Sequence, residues 1–279
     1  MKPYLRVTRP KSWAKNILIF APLVFSLQLR NADKLLASVI AFAAFCLASS
    51  AVYVFNDVCD AGKDKLHPVK RLRPIASGAI PKRKAAMFAA PLAVAGLAAG
   101  LAASRATGAL VAAFFALNIA YSLWLKRQPL WDCFCIAAGF VLRVYAGGAA
   151  SGEPISDWLF LTIVAMSLFM AFGKRRGEAL MVGDAASREV LRQYDLRFIN
   201  GVMFVYAGLA VVFYAMWAMN RSRGMIYTVP LVIFIVSRYL LLIHGLDSHG
   251  DPSTVLFEDK TLLAAGGLYG LLTVALLYS

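Results

Sequence analysis

Apolar residues in this chain come in long runs separated by short polar clusters, and nothing along it alternates with a period of two. Runs of roughly 17 to 25 apolar residues match the hydrocarbon core of a bilayer at the rise of an α-helix. Nine are expected, at about 14–30, 35–58, 84–104, 107–124, 130–150, 155–174, 198–219, 225–244 and 261–278. Asn16 and Pro22 interrupt the first of them. The pattern predicts an all-α fold, a polytopic membrane helical bundle of about nine transmembrane helices, forming a single domain over residues 1–279. Residues 1–15 are basic, and no small-residue cleavage site follows a short apolar core, so no cleaved leader is expected. In this stretch Tyr4 and Trp13 stand among Lys2, Arg6, Arg9, Lys11 and Lys15. Such a segment suits the surface of anionic lipid, with a second role near a substrate phosphate as the alternative.

Composition changes the picture in one respect, which is orientation. The 279 residues are 60% hydrophobic, with mean hydropathy +0.67, too apolar for a soluble domain. With the N-terminus in the cytoplasm, the cytoplasmic segments hold roughly 22 of the 29 Lys and Arg, against about five in the opposite loops. The formal charge of +14 is thus mainly a positive-inside bias of a plasma-membrane protein. There is no soluble basic domain to suggest a nucleic-acid partner. Cys46, Cys59, Cys133 and Cys135 lack zinc spacing and read as packing residues, and His67, His244 and His249 are too scattered for a metal site.

The candidate chemistry sits where the second run ends. Residues 53–78 carry Asn56, Asp57, Asp60 and Asp64, then Lys65, Lys70, Arg71 and Arg73. The aspartates follow at i, i+3 and i+7, so a helix continued through them places all three on one stripe. Ionised carboxylates so placed repel one another, and a divalent cation relieves the repulsion. Mg²⁺ takes one or two carboxylates and completes its shell with water and phosphate oxygens. The bases that follow suit phosphate. Asp57, Asp60 and Asp64 are therefore expected to bind Mg²⁺ at a membrane surface, facing a phosphate-bearing substrate.

Further polar groups recur at the same membrane face. Tyr121, Lys126 and Asp132 surround the loop after the fourth run, and Lys174 and Arg175 extend from the sixth. Arg143 lies three turns after Asp132 on one helix face. It is expected either to pair inside the bundle or to line a cavity and bind phosphate. Asp247, Asp251, Glu258 and Asp259 are expected to anchor arginines or to meet substrate hydroxyls. Two polar clusters, each preceding an Ala/Gly-rich helix, suggest one central cavity open to the cytoplasmic side.

These residues carry a resemblance. Asn56-Asp57-x-x-Asp60-x-x-x-Asp64 with Arg73-Pro74-x-x-Ser77-Gly78 resembles the first motif of the UbiA superfamily of intramembrane prenyltransferases. Tyr121 and Lys126 with Asp132 occupy the place of the second. The run from His67-Pro68 to Gly78, together with Phe169-Met-x-x-Gly173-Lys174-Arg175, is most similar to the polyprenyl-phosphate (decaprenyl-phosphate) phosphoribosyltransferase branch. Lys70-Arg71-Leu72 departs from the aromatic prenyltransferases, and the second motif lacks a pair of aspartates four apart.

The resemblance implies a UbiA-like fold and Mg²⁺-dependent transfer of 5-phosphoribose from 5-phosphoribosyl 1-diphosphate to a polyprenyl phosphate. It implies Asp57, Asp60, Lys126 and Arg143 as catalytic residues. Asn56, Lys70, Arg71, Arg73, Tyr121, Asp132, Lys174 and Arg175 are implied as substrate-binding. The lipid bilayer is the expected partner, and a homo-oligomer is compatible with this reading. The runner-up is an aromatic or quinone-type prenyltransferase, and a transporter with an anion-binding cavity is the non-enzymatic alternative.

Overall fold

The computed structural model describes residues 2–181, 189–245 and 258–278. Among these, ten α-helices and several short 3₁₀ turns account for the regular structure, and no strand occurs. Eight helical stretches are long and apolar enough to cross a membrane. Seven of these are α3 (Ala32–Asp64), α4 (Lys82–Ala103), α5 (Arg105–Leu123), α6 (Trp131–Ser151), α7 (Asp157–Met181), α8 (Leu196–Arg221) and α10 (Lys260–Tyr278). The eighth runs from a 3₁₀ turn, Arg223–Thr228, into α9 (Val229–His244). These fall on the last eight of the nine expected runs. Asp247, Asp251 and His249 lie outside the described residues.

The first expected run takes another form. After α1 (Lys2–Val7), an eleven-residue 3₁₀ helix (Pro10–Phe20) leads into the short α2 (Ala21–Phe25). Pro10 and Pro22 open these two segments, where a missing N–H costs least. Ile19 and Leu23 are fully buried while Ile17 is 60% exposed, so one face of this segment packs as protein core. Two aromatic residues of the basic stretch that overlaps it make contacts with α4 and α3. Tyr4 packs on Phe88 edge-on, and Trp13 donates to Ser50 Oγ at 3.1 Å.

Local signals set the helix ends. The Asn31 side chain accepts from the Lys34 N–H to start α3, and Ser104 does the same for α5 with Thr107. Asp195 caps α8. Past Asp64 the chain reaches Pro68, which disfavours helix at His67. The long helix therefore ends just after its last aspartate.

Two compact units emerge, residues 1–126 with 139–155, and residues 127–138 with 156–279. In the first, α3 packs on α4, α5 and the 3₁₀ helix around Ile19, Phe45, Val52, Val111 and Phe114. A smaller cluster of Val7, Val54, Ala61, Ile75 and Ile80 holds the chain on either side of the aspartates. In the second, α7 packs along α8, and Phe172 stacks on Tyr206.

The 3₁₀ helix is seated backbone to backbone at one place. A Cβ added to Gly147 would collide with the carbonyl of Ile19. Gly147→Ala is therefore expected to destabilise the protein by about 1–3 kcal/mol, as overpacking does. A lowered midpoint of thermal unfolding in detergent checks this, and an unchanged midpoint would refute the packing.

Candidate active site

The first unit carries three carboxylates on the last turns of α3, and each is met by a cation from a different segment. Asp57 is buried and accepts from Arg9 and, at 3.2 Å, from Nη1 of Arg73. The same Nη1 lies 2.7 Å from Asp64, also buried. Asp60 accepts from Lys126 Nζ at 2.5 Å. Asn56 Oδ1 receives Ser122 Oγ at 3.1 Å and Lys126 Nζ at 3.4 Å. One end of α3 thus gathers the N-terminal segment, the loop after α3 and the turn after α5.

Each cation has a local reason to be there. Pro10 ends the helix before Arg9, whose backbone adopts a left-handed conformation (φ 51°, ψ 61°). That costs a residue with a Cβ about 1–2 kcal/mol. Its guanidinium also lies over the Tyr53 ring at 5.0 Å. Arg73 follows a single 3₁₀ turn, Lys70–Leu72, over which His67 Nδ1 accepts the N–H groups of Val69 and Lys70. Lys70 is half-buried, Arg71 exposed, and Tyr121 half-buried one turn before Lys126.

Whether these residues suit a divalent cation depends on how the carboxylates are shared. Among the described residues no three His, Cys, Asp or Glu side chains form a ready-made metal cage. The expected trio is instead divided, Asp57 and Asp64 sharing one guanidinium nitrogen while Asp60 turns to Lys126. A positively charged atom already fits between Asp57 and Asp64. Each ion pair uses a single oxygen of its carboxylate, Oδ1 of Asp57 and Asp60 and Oδ2 of Asp64. This donor set suits Mg²⁺, which needs few carboxylates and takes the rest of its shell from water and phosphate.

Arg143 is deeper in the same unit, 5% exposed. Its Nε donates to Asn16 Oδ1 (2.7 Å), Nη1 to the Gly139 carbonyl (2.6 Å) and Nη2 to Ser49 Oγ (3.5 Å). The rings of Phe114 and Phe140 flank its guanidinium. All three acceptors are neutral, so of the two expected roles the ion pair is not the arrangement found among the described residues.

The second unit holds its own charged network. Asp132 and Arg175 are both fully buried, with Arg175 Nε 3.2 Å from Asp132 Oδ2, and Arg175 Nη1 also meets Glu178 at 2.5 Å. Tyr194 donates to Asp132 Oδ1 at 2.7 Å and accepts the N–H of Leu130 at 2.5 Å. Leu130 is left-handed at φ 67°. Burial, and after it the hydrogen bond to Asp132, pushes the Tyr194 phenol up, so it remains a protonated donor through the neutral range. Lys174 is half-buried beside this network on α7. Further along, Asp259 anchors Arg238 at 2.8 Å, and that bond holds its carboxyl below the usual carboxylate range.

Spacing alone could not reveal several of these groups. Arg9 lies 48 residues from Asp57, and Asn16 lies 127 from Arg143. Arg9-Pro10, inside a basic segment, was the available signal for the first. Tyr194 and Ser122 carried none.

The UbiA prenyltransferase family matches residues 17–277. The chain is 33% identical to the decaprenyl-phosphate phosphoribosyltransferase of Mycolicibacterium smegmatis, over 92% of this chain and 87% of that protein. It is 34% identical to the protein of the same name from Corynebacterium glutamicum, over 92% and 81% respectively. A UbiA homolog from Archaeoglobus fulgidus, bound to GPP and Mg²⁺, shares the fold at a TM-score of 0.79 and 18% identity, covering 99% of this chain and 100% of that one.

Tyr194→Phe strands the Leu130 N–H and removes a donor from buried Asp132. A loss of about 1–3 kcal/mol is expected. The raised phenol also sets a sign. Its contribution is complete below the ordinary tyrosine pKa of about 10 and is lost as pH rises above it. Thermal unfolding followed from neutral to alkaline pH should show that loss in the wild type and not in Tyr194→Phe, and parallel curves would contradict it.

Proposed function

The chain belongs to the UbiA prenyltransferase family, and from that premise we propose that it transfers 5-phosphoribose from 5-phosphoribosyl 1-diphosphate to a polyprenyl phosphate such as decaprenyl phosphate. The products are polyprenylphosphoryl-5-phosphoribose and diphosphate. The protein is a multi-pass membrane transferase. We place the aspartate end of α3 on the cytoplasmic side of the plasma membrane, following the Lys and Arg asymmetry, and take residues 1–279 as one catalytic domain. The observation that carries the reading is the meeting of Asp57, Asp60 and Asp64 with Arg9, Arg73 and Lys126 on one helix end. Acids and cations interleaved in this way suit a metal-bound diphosphate with further phosphates beside it.

Asp57, Asp60 and Asp64 would hold Mg²⁺ on the donor diphosphate, and the chemistry supplied there is neutralisation of charge on the departing diphosphate. When the donor is seated, Arg9, Arg73 and Lys126 turn from carboxylate to phosphate oxygens, exchanging one anionic partner for another. Lys70 and Arg71 add charge for the 5-phosphate and the acceptor phosphate, Asn56 and Tyr121 offer polar contacts at their edge, and Lys174 is assigned to substrate binding from its own unit. Arg143 contributes a buried positive charge whose bonded acceptors are all neutral, so its field acts on an incoming anion at little competing cost. Asp132 and Arg175 are assigned to positioning through their mutual contact. The acceptor phosphate is already ionised near neutral pH, so its oxygen attacks the anomeric carbon in line without a general base. Catalysis rests on placement and electrostatics.

Purified protein, radiolabelled 5-phosphoribosyl 1-diphosphate, decaprenyl phosphate and Mg²⁺ should together yield lipid-extractable label that EDTA abolishes. Label moving only when a prenyl diphosphate and an aromatic acceptor are supplied would replace this reading with the aromatic prenyltransferase. Asp60→Asn is expected to lower turnover about 10²–10³-fold while the protein stays folded. Equal turnover in that variant would remove the metal role. Arg143→Met is expected to reduce kcat/KM at least about tenfold, read from initial rates with each substrate varied in turn.

A further inference from the structure

The proposed chemistry leaves one cavity of the first unit unused. At the ends of α5 and α6 remote from the aspartates lies a groove of about 610 Å³. Ala106, Ala109 and Leu110 line it from α5, and Tyr145 and Ala149 from α6. Ala106, Ala109 and Tyr145 are exposed on helices apolar enough to cross a membrane, which opens the groove to an apolar medium. The charged group at its end, Glu153, is neutralised by Lys34 at 2.5 Å. The room depends on small residues. A Cβ at Gly148, which also lines the groove, would stand 2.7 Å from the Glu153 carbonyl.

Position along the helices connects this groove to the aspartates. Ser122 of α5 bonds Asn56 in the aspartate cluster, and Ala109 and Ala106 lie about 20 and 24 Å back along the same helix. From Lys34 to Asp57, α3 rises about 35 Å, close to the roughly 30 Å thickness of a hydrocarbon core. A chain tethered by a phosphate at Asp57 and running down α5 therefore meets the groove before it leaves the bilayer. A short tail ends before reaching it.

We propose that this groove holds the distal isoprenoid units of a long-chain polyprenyl phosphate, and so selects the acceptor by tail length. The proposal rests on the phosphoribosyl-transfer reading above for the identity of its occupant. Each additional methylene buried there is worth about fourfold in affinity, so one extra isoprenoid unit in the groove is a measurable preference.

Two measurements decide it. Ala109→Phe and, separately, Ala106→Leu fill the groove. The ratio of kcat/KM for decaprenyl phosphate to that for geranyl phosphate should fall about tenfold or more in each. An unchanged ratio in both overturns the proposal. The second measurement needs no turnover. Decaprenyl phosphate bearing a diazirine at the far end of its tail is photolysed with the wild-type protein, and the peptide containing Tyr145 should carry the label. Label elsewhere, or label at Tyr145 displaced equally by phosphatidylglycerol, overturns the groove as a polyprenyl site. If the wild type transfers phosphoribose to neither acceptor, the catalytic reading fails by itself. Specific labelling at Tyr145 would then still support the groove, and its absence would reject it.

Discussion

Three carboxylates within two turns of one helix cannot remain ionised side by side unless cations are brought to them, and the first unit is arranged around that requirement. No residue on α3 supplies the balance. Arg9 comes from the N-terminal segment, Arg73 from the loop after the helix and Lys126 from the turn after α5. Folding those three segments onto α3 therefore neutralises its acids. In the function proposed above, the same place lets these cations exchange carboxylate for phosphate at small net cost.

The same requirement explains why one face of the beginning of the chain is packed against the first unit. Arg9 reaches Asp57 because the 3₁₀ helix after it is fixed along its length. Trp13 is bonded to Ser50, Asn16 is held by Arg143 and by Cys46, and Ile19 lies against the bare backbone of Gly147. A buried guanidinium among neutral acceptors and aromatic faces is an expensive brace. It ties α3, α6 and the 3₁₀ helix together at once, and among the described residues its bonded partners are all neutral. The second unit solves a related problem differently. Asp132 and Arg175 neutralise one another in full burial, and Tyr194 satisfies the remaining carboxylate oxygen and a left-handed backbone N–H.

Much of the architecture was legible because a bilayer imposes length and polarity on each crossing. Eight runs became helices close to their expected limits, and α3 did continue through Asp57, Asp60 and Asp64 as their spacing required. The first run forms a 3₁₀ helix and a short α-helix in place of one continuous α-helix, because hydropathy reports the length of an apolar run and not its backbone form. Asn16 and Pro22 within it were the physical hint. Tyr4 and Trp13, half-buried, each make a contact within the first unit, with Phe88 and Ser50.

The amino-acid order by itself determined the all-helical class, the stripe of aspartates, the supply of cations around it and the family resemblance. Each is fixed by local spacing or by composition. Tertiary structure alone decided which cation meets which acid, that Arg143 finds neutral partners, that Asp132 and Arg175 close on each other, and that a groove remains at the far ends of α5 and α6. Those pairings join residues up to 127 positions apart. No local periodicity encodes them, because they follow from which helix faces are driven together when the apolar surface is buried.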